Sequence, residues 1–286
     1  MFEGFALSEI DVGEARLRVR TGGSGPPLLL LHGWPQTHLM WGRVAADLAR
    51  DFTVVAPDLR GYGGSTGPAT APDHEPYSKR AMGRDVLSLM RGLGFERFDL
   101  AGHDRGGRVG YRLALDHPQA VRRLAVLDIV PTFEVYSRAD MAMGLGYWHW
   151  FFLAQPHPFP EKVIEANPDW FFFRGGPGPY APEALADYLE AARRPSVIHA
   201  MCEDYRAGAT YDFAADRANR EAGRRIDAPT LVLWGARGAL ARWYDVMAIW
   251  GDWADDVRGR EIDAGHFIPE EAPAETLAAL REFFRQ

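Results

Sequence analysis

Apolar and polar positions along the first 130 residues follow a repeating rhythm of short apolar runs and longer amphipathic ones. Residues 14–20 read as a strand, and residues 26–31 form the continuous apolar run of a buried strand. The loop His32-Gly33-Trp34-Pro35-Gln36-Thr37 follows, and residues 40–50 have helical spacing. Residues 52–56 are the third strand, leading into a loop over 58–65 in which Asp58 is read as structural. Residues 78–92 predict a helix with Ser78 as N-cap. Residues 98–101 predict a strand running directly into Gly102-His103-Asp104-Arg105-Gly106. Helical spacing then continues to His117, where Pro118 stops it, and residues 124–129 form another short strand before Pro131.

The rhythm breaks at about residue 135. From there to 222 the chain is aromatic and Pro-rich, with helical stretches but no strand–helix alternation. Alternation returns with a strand over 230–234, a helix over 243–253, a strand over 260–262 and a last helix over 274–284. Alternating strands and helices predict an α/β fold: a mostly parallel sheet with helices on both faces. Residues 1–134 and 223–286 then form one core, and 135–222 an inserted helical cap.

Composition narrows the function. The net charge is −7 and no basic stripe is present, which argues against nucleic acid as a partner. Arg greatly outnumbers Lys, but the Arg are scattered among acids, and most are expected on the solvated surface. No apolar run approaches the roughly 20 residues that span a bilayer. The start of the chain lacks a basic-then-apolar leader pattern. The single cysteine, Cys202, forbids an intrachain disulfide and is expected as a buried packing residue. These features point to a cytoplasmic protein with no membrane partner.

Gly102-His103-Asp104-Arg105-Gly106 has the form G-x-D-x-G between a strand and a helix. The related serine pattern marks a sharp turn that lifts a nucleophile above a sheet, with the first N–H groups of the helix pointing at it. An Asp capping a helix is an equally good reading of the five residues alone; their position after a strand–helix series favours the nucleophile. A carboxylate nucleophile leaves an ester on the enzyme, and water needs a general base to attack it. His266, in Asp263-Ala264-Gly265-His266-Phe267 between the last strand and the last helix, has the position of that base. The acid that orients it is expected at a strand end. Gly235-Ala236-Arg237-Gly238-Ala239 offers none, whereas Asp128 closes an apolar strand, where an acid needs a partner.

The segments GHDRGGR, HGWPQTH, LDIVPT, HWFFLAQP, CEDYRAGA and AGHFIPEE, in that order, resemble the fluoroacetate (haloacetate) dehalogenases, a family with the α/β-hydrolase fold. The resemblance runs from about Gly25 to the C-terminus and is weaker over 160–197. It implies that Arg105 and Arg108 clamp a substrate carboxylate. Guanidinium–carboxylate pairing and the three-residue spacing at a helix start suit that role. It implies a halide pocket of His149, Trp150 and Tyr205, all hydrogen-bond donors. It also implies an oxyanion site from the backbone N–H groups of Trp34 and Arg105. Trp34 departs from the Phe expected in the His32 loop. For a gating Trp within 167–185 the candidate is Trp170. A homodimer is a further family expectation.

The expected reaction converts fluoroacetate or chloroacetate to glycolate and halide through an ester on Asp104. It requires no metal and no organic cofactor, and the partner is a small anionic molecule. The alternative is an epoxide hydrolase using the same Asp–His–Asp machinery, with Tyr205 and Tyr147 or Tyr136 protonating the opening ring. The adjacent arginines argue against it, since a neutral epoxide has no use for two cations. A non-catalytic ligand-binding protein on the same fold is a third reading.

Overall fold

A computed structural model describes residues 1–174 and 176–286 of the 286-residue chain. Eight strands form one sheet in the order β1-β2-β4-β3-β5-β6-β7-β8. They are β1 (Ala6–Asp11), β2 (Arg16–Gly22), β3 (Pro27–Leu31), β4 (Thr53–Pro57), β5 (Phe98–His103), β6 (Val121–Leu127), β7 (Thr230–Gly235) and β8 (Val257–Ile262). β1 and β2 pair antiparallel at one edge, and every pairing from β4 through β8 is parallel. The C-terminal ends of β3 to β8 therefore share one edge of the sheet, where open α/β sheets bind ligands.

The inner parallel strands β3 and β6 end in continuous apolar runs because both their faces are covered, whereas the edge strand β8 is polar and largely exposed. Leu28 to Leu31 and Leu124 to Leu127 are wholly buried. The helix Arg105–Asp116 packs on β3, β5 and β6. Ser78 caps the helix Lys79–Gly92 by accepting from Ala81 N at 3.1 Å, as its sequence predicts. Between β6 and β7 the chain forms a series of helices from Thr132 to Glu221, with no strand among the described residues. No described helix is long and apolar enough to cross a membrane.

The strand expected over 14–20 forms as β2, and the sequence pattern misses the strand that precedes it, β1. Five of its six residues are exposed, so as an edge strand it carries no apolar alternation. The helices expected over 40–50 and 243–253 are each broken. The first gives a short turn, His38–Trp41, then Ala45–Leu48. In the second, Tyr244 is extended and Asp245 caps a new helix, Val246–Gly251, by accepting from Ala248 N at 3.0 Å. Most Arg are exposed or half-exposed as expected; Arg60, Arg105, Arg112 and Arg206 are instead buried, each against carboxylates distant in sequence or on the same helix that satisfy their charge. Cys202 is buried as expected. Asp58 is structural as expected: it accepts from His38 N and Gly64 N at 2.8 and 2.7 Å and pairs with Arg18.

Glu270 is fully buried beside Gln36 and Tyr188, and burial pushes its pKa up from 4.5 to about 8. A folded pKa above the unfolded one means the fold holds a proton that the unfolded chain releases. Stability is then lost as pH rises from about 4.5 to about 8. Glu270→Gln should remove this dependence. Its melting temperature should match wild type near pH 5 and exceed it by a few degrees near pH 9, each pH being approximate. Parallel melting curves for the two proteins across that range would refute it.

Candidate active site

Asp104 sits at the join of β5 and the following helix with φ 45° and ψ −117°, a conformation L residues rarely adopt. Two glycines permit the turn. A Cβ on Gly102 would lie 2.5 Å from the Gly106 carbonyl oxygen, and one on Gly106 would lie 2.5 Å from the carbonyl oxygens of Leu31 and His32. The carboxylate is thereby held above the sheet edge, where Asp104 Oδ2 accepts from Trp34 N at 2.9 Å. Burial pushes the pKa of Asp104 up, but the charges of His266 and Arg105 outweigh it. The group ends below its ordinary value of 3.8, ionised at neutral pH.

Asp128 follows β6 with φ 53°, a left-handed position that Asp tolerates. Its Oδ1 accepts from Gly235 N, at the end of β7, at 2.9 Å. Its Oδ2 lies 2.6 Å from His266 Nδ1. One carboxylate thus spans two strand ends and fixes the imidazole. Burial pushes the His266 pKa down; the hydrogen bond and charge of Asp128 overcome this and raise it above 6.5. The loop carrying His266 is pinned on both sides. Glu271 accepts from Gly265 N at 2.7 Å and from Phe267 N at 2.9 Å. His103 Nε2 donates to the His266 carbonyl at 2.8 Å; burial holds the His103 pKa at about 4, so that ring is neutral.

Asp104, Asp128 and His266 border one cavity of about 180 Å³, together with Arg108, His149 and Trp150. Trp34, Tyr147 and Tyr244 close further walls. The two arginines are not equivalent. Arg105 lies on Asp204, with Nε 2.9 Å from Oδ2 and Nη2 2.6 Å from Oδ1; its Nη1 is buried without an acceptor. Arg108 donates from Nη1 to the Val130 carbonyl at 2.9 Å and to Thr132 Oγ1 at 3.3 Å, and its buried Nε has no acceptor. Among the described residues Arg108 has no carboxylate within ion-pair distance. Both guanidiniums lie over aromatic rings: Arg105 Cζ is 4.1 Å from the Tyr205 centroid and Arg108 Cζ 4.5 Å from that of Trp150.

His149 stacks on Trp34 with centroids 4.9 Å apart, and burial lowers its pKa to about 3, so it is neutral. Tyr205 packs edge-on against Trp34, His149 and Trp150 at 5.9, 5.9 and 5.8 Å. The expected halide donors are therefore neighbours of one another. Arg105 is the first residue of its helix, so its backbone N–H has no acceptor within that helix. Trp170 departs from its expected role: it is 57% exposed and does not border the cavity, while Phe172 meets Trp34 edge-on at 5.7 Å.

Sequence reading missed Asp204, Glu271 and the wall residues Leu240 and Tyr244. An acid directly before Tyr205, and the acid pair after His266-Phe267-Ile268-Pro269, were the available signals for the first two.

Residues 26–273 match the model of the alpha/beta hydrolase fold. The chain is 49% identical to a fluoroacetate dehalogenase of a Burkholderia species, covering 99% of this chain and 95% of that one. It is 31% identical to a soluble epoxide hydrolase of a Corynebacterium species, over 94% and 93% of the two chains. A crystal structure of a Nostoc α/β-hydrolase superposes with a TM-score of 0.97 at 48% identity, over 99% of each chain. The sheet, the turn at Asp104 and these matches make the chain a member of the α/β-hydrolase family, and within it of the fluoroacetate dehalogenase family.

Since Asp128 is what raises the His266 pKa, Asp128→Asn should let burial dominate and move that pKa below 6.5. NMR titration of the His266 imidazole reads this directly. A pKa unmoved by the substitution would mean the pair is not coupled in solution.

Proposed function

We propose that the protein hydrolyses the carbon–halogen bond of a haloacetate, releasing glycolate and halide. The observation that carries this reading is Arg108: a cation facing the cavity, bound only to neutral oxygens, with a buried N–H that has no acceptor. An unpaired buried donor costs about 1–3 kcal/mol, and more on a charged group. A substrate carboxylate fits that vacancy in charge and geometry. Arg105 adds its free Nη1 from behind the Tyr205 ring.

In the first step Asp104 attacks the α-carbon in line with the departing halide. The C–X bond breaks with its electron pair on the halide, and an ester forms on Asp104. His149, Trp150 and Tyr205 supply the N–H and O–H groups that replace the water of a leaving fluoride. Two anions meet in this step, so the arginines must offset their repulsion as well as orient the substrate. In the second step His266, neutral and oriented by Asp128, takes a proton from water. The resulting hydroxide attacks the ester carbonyl carbon, and the backbone N–H groups of Trp34 and Arg105 receive the oxyanion. Glycolate leaves, and the proton on His266 passes to solvent. The inserted helices, 135–222, act as a cap over these groups.

Epoxide hydrolysis is the second reading, favoured by Tyr147 in the cavity wall and by the Corynebacterium relative. It leaves the charge on Arg108 without a counterpart.

Purified protein should release halide from fluoroacetate and chloroacetate. Asp104→Asn should release none above background. Arg108→Leu should lose on the order of 100-fold or more in kcat/KM for either acid. Diol formation from epoxides, with no halide from either acid, would sink the proposal. His266→Asn should give one equivalent of halide per enzyme and then stall. Mass spectrometry should find a carboxymethyl group retained on Asp104; steady multiple turnover by this variant would remove His266 from its role. The acid limb of kcat should lie above pH 6.5, since only neutral His266 can accept the proton.

A further inference from the structure

We infer that His157, Glu161 and His199 form a second, structural site for one divalent cation of the zinc class, in a recess between the inserted helices and the core loop 70–74. None of the three borders the cavity over Asp104.

The three residues converge from separate pieces of chain. His157 precedes the helix Phe159–Ala166, Glu161 lies in its first turn, and His199 lies in the helix Pro195–Ala207. His157 Nδ1 is 3.2 Å and His199 Nδ1 3.0 Å from the same oxygen, Glu161 Oε1, and the three atoms lie within 4.8 Å of one another. Ligand atoms at about 2.0–2.1 Å from a tetrahedral zinc ion sit about 3.3 Å apart, so little movement is needed to enclose one. Two imidazoles and a carboxylate are the donor set of a borderline cation, with water completing the coordination.

Hydrogen bonding alone accounts poorly for this cluster. Glu161 Oε1 already accepts from Arg206 Nη1 at 2.7 Å, so both imidazoles would make it a three-donor oxygen. One cation in place of two imidazole protons turns both nitrogens into ligands and relieves that crowding. Arg206 Nη2 holds Oε2 at 2.9 Å and fixes the plane of the carboxylate, as the outer partners of metal ligands commonly do. The charge balance also favours a cation. Glu161 and Glu203 are buried against the single charge of Arg206, and His74 Nδ1 lies 2.8 Å from Glu203 Oε2 at the far side of the same recess. The exposed ring of His157 gives an ion access from solvent.

The test uses the intact chain, stripped with a chelator, desalted and titrated with zinc chloride by calorimetry. One saturating equivalent is expected. Cobalt(II) loaded in its place should give the visible absorption of a nitrogen- and oxygen-bound ion. His157→Ala and His199→Ala should each weaken zinc binding by roughly tenfold or more. His157 is exposed, so its removal leaves the fold intact. Zinc should raise the melting temperature of the wild type and not of His157→Ala, and halide release by His157→Ala should equal that of wild type. Absence of a saturating equivalent would overturn the inference. So would zinc binding that survives both substitutions, which would assign the ion to other histidines.

Discussion

The strained turn at Asp104 is the constraint on which the rest of the site depends. Its positive φ aims the carboxylate away from the sheet, and no room exists for a side chain at Gly102 or Gly106. Strain of this kind costs on the order of 1–3 kcal/mol and persists only where surrounding structure over-determines it. Here β5 lies between β3 and β6, with the helix Arg105–Asp116 on all three. The same packing sets every neighbour of Asp104. β3 ends beside it and delivers Trp34 N, β6 delivers Asp128, and β7 and β8 end where Gly235 N and His266 are needed. A parallel sheet brings these ends to one edge without any of them being close in sequence.

Charge is balanced around that turn with one deliberate imbalance. Asp128 is matched by His266, and Arg105 by Asp204. Asp204 also takes Lys79 and accepts from Tyr62 OH at 2.7 Å, so it is fully partnered in the interior. Desolvation makes such buried pairs expensive unless every partner is in place. Arg108, by contrast, donates to neutral oxygens. In the proposed reaction its charge would serve two anions in turn, Asp104 and the substrate carboxylate.

Much of this was legible from the sequence because it is local. The strand–helix alternation, the G-x-D-x-G turn and the position of His266 are each read within a few residues. Asp128 followed from the lack of an acid after β7. What stayed hidden depends on distance in sequence or on the lack of a pattern. β1 is an exposed edge strand without alternation. The pairing of Arg105 with Asp204 crosses 99 residues. Glu271 acts on backbone N–H groups, which leave no trace in side-chain spacing. The cation cluster at His157, Glu161 and His199 likewise joins two helices that the sequence reading left unresolved within one aromatic, Pro-rich stretch.

The ion pairs also decide which wall of the cavity can give way. The helix Pro195–Ala207 is bound to the core through Asp204, which Arg105 and Lys79 hold in a fully buried site. Separating it would leave Arg105 and Asp204 without each other, a loss of several kcal/mol. Among the described residues the stretch around His149 has no ion pair to the core. Its contacts there are the stack of His149 on Trp34, the edge contact of Tyr147 with Trp243 and the Arg108 guanidinium over the Trp150 ring. Met141 and Leu145 nearby are 80% and 73% exposed. Aromatic pairs are worth about 0.5–1.5 kcal/mol beyond the area they bury. Widening the cavity therefore costs least on the side of His149, whereas the Arg105 and Tyr205 side stays tied to the core through Asp204.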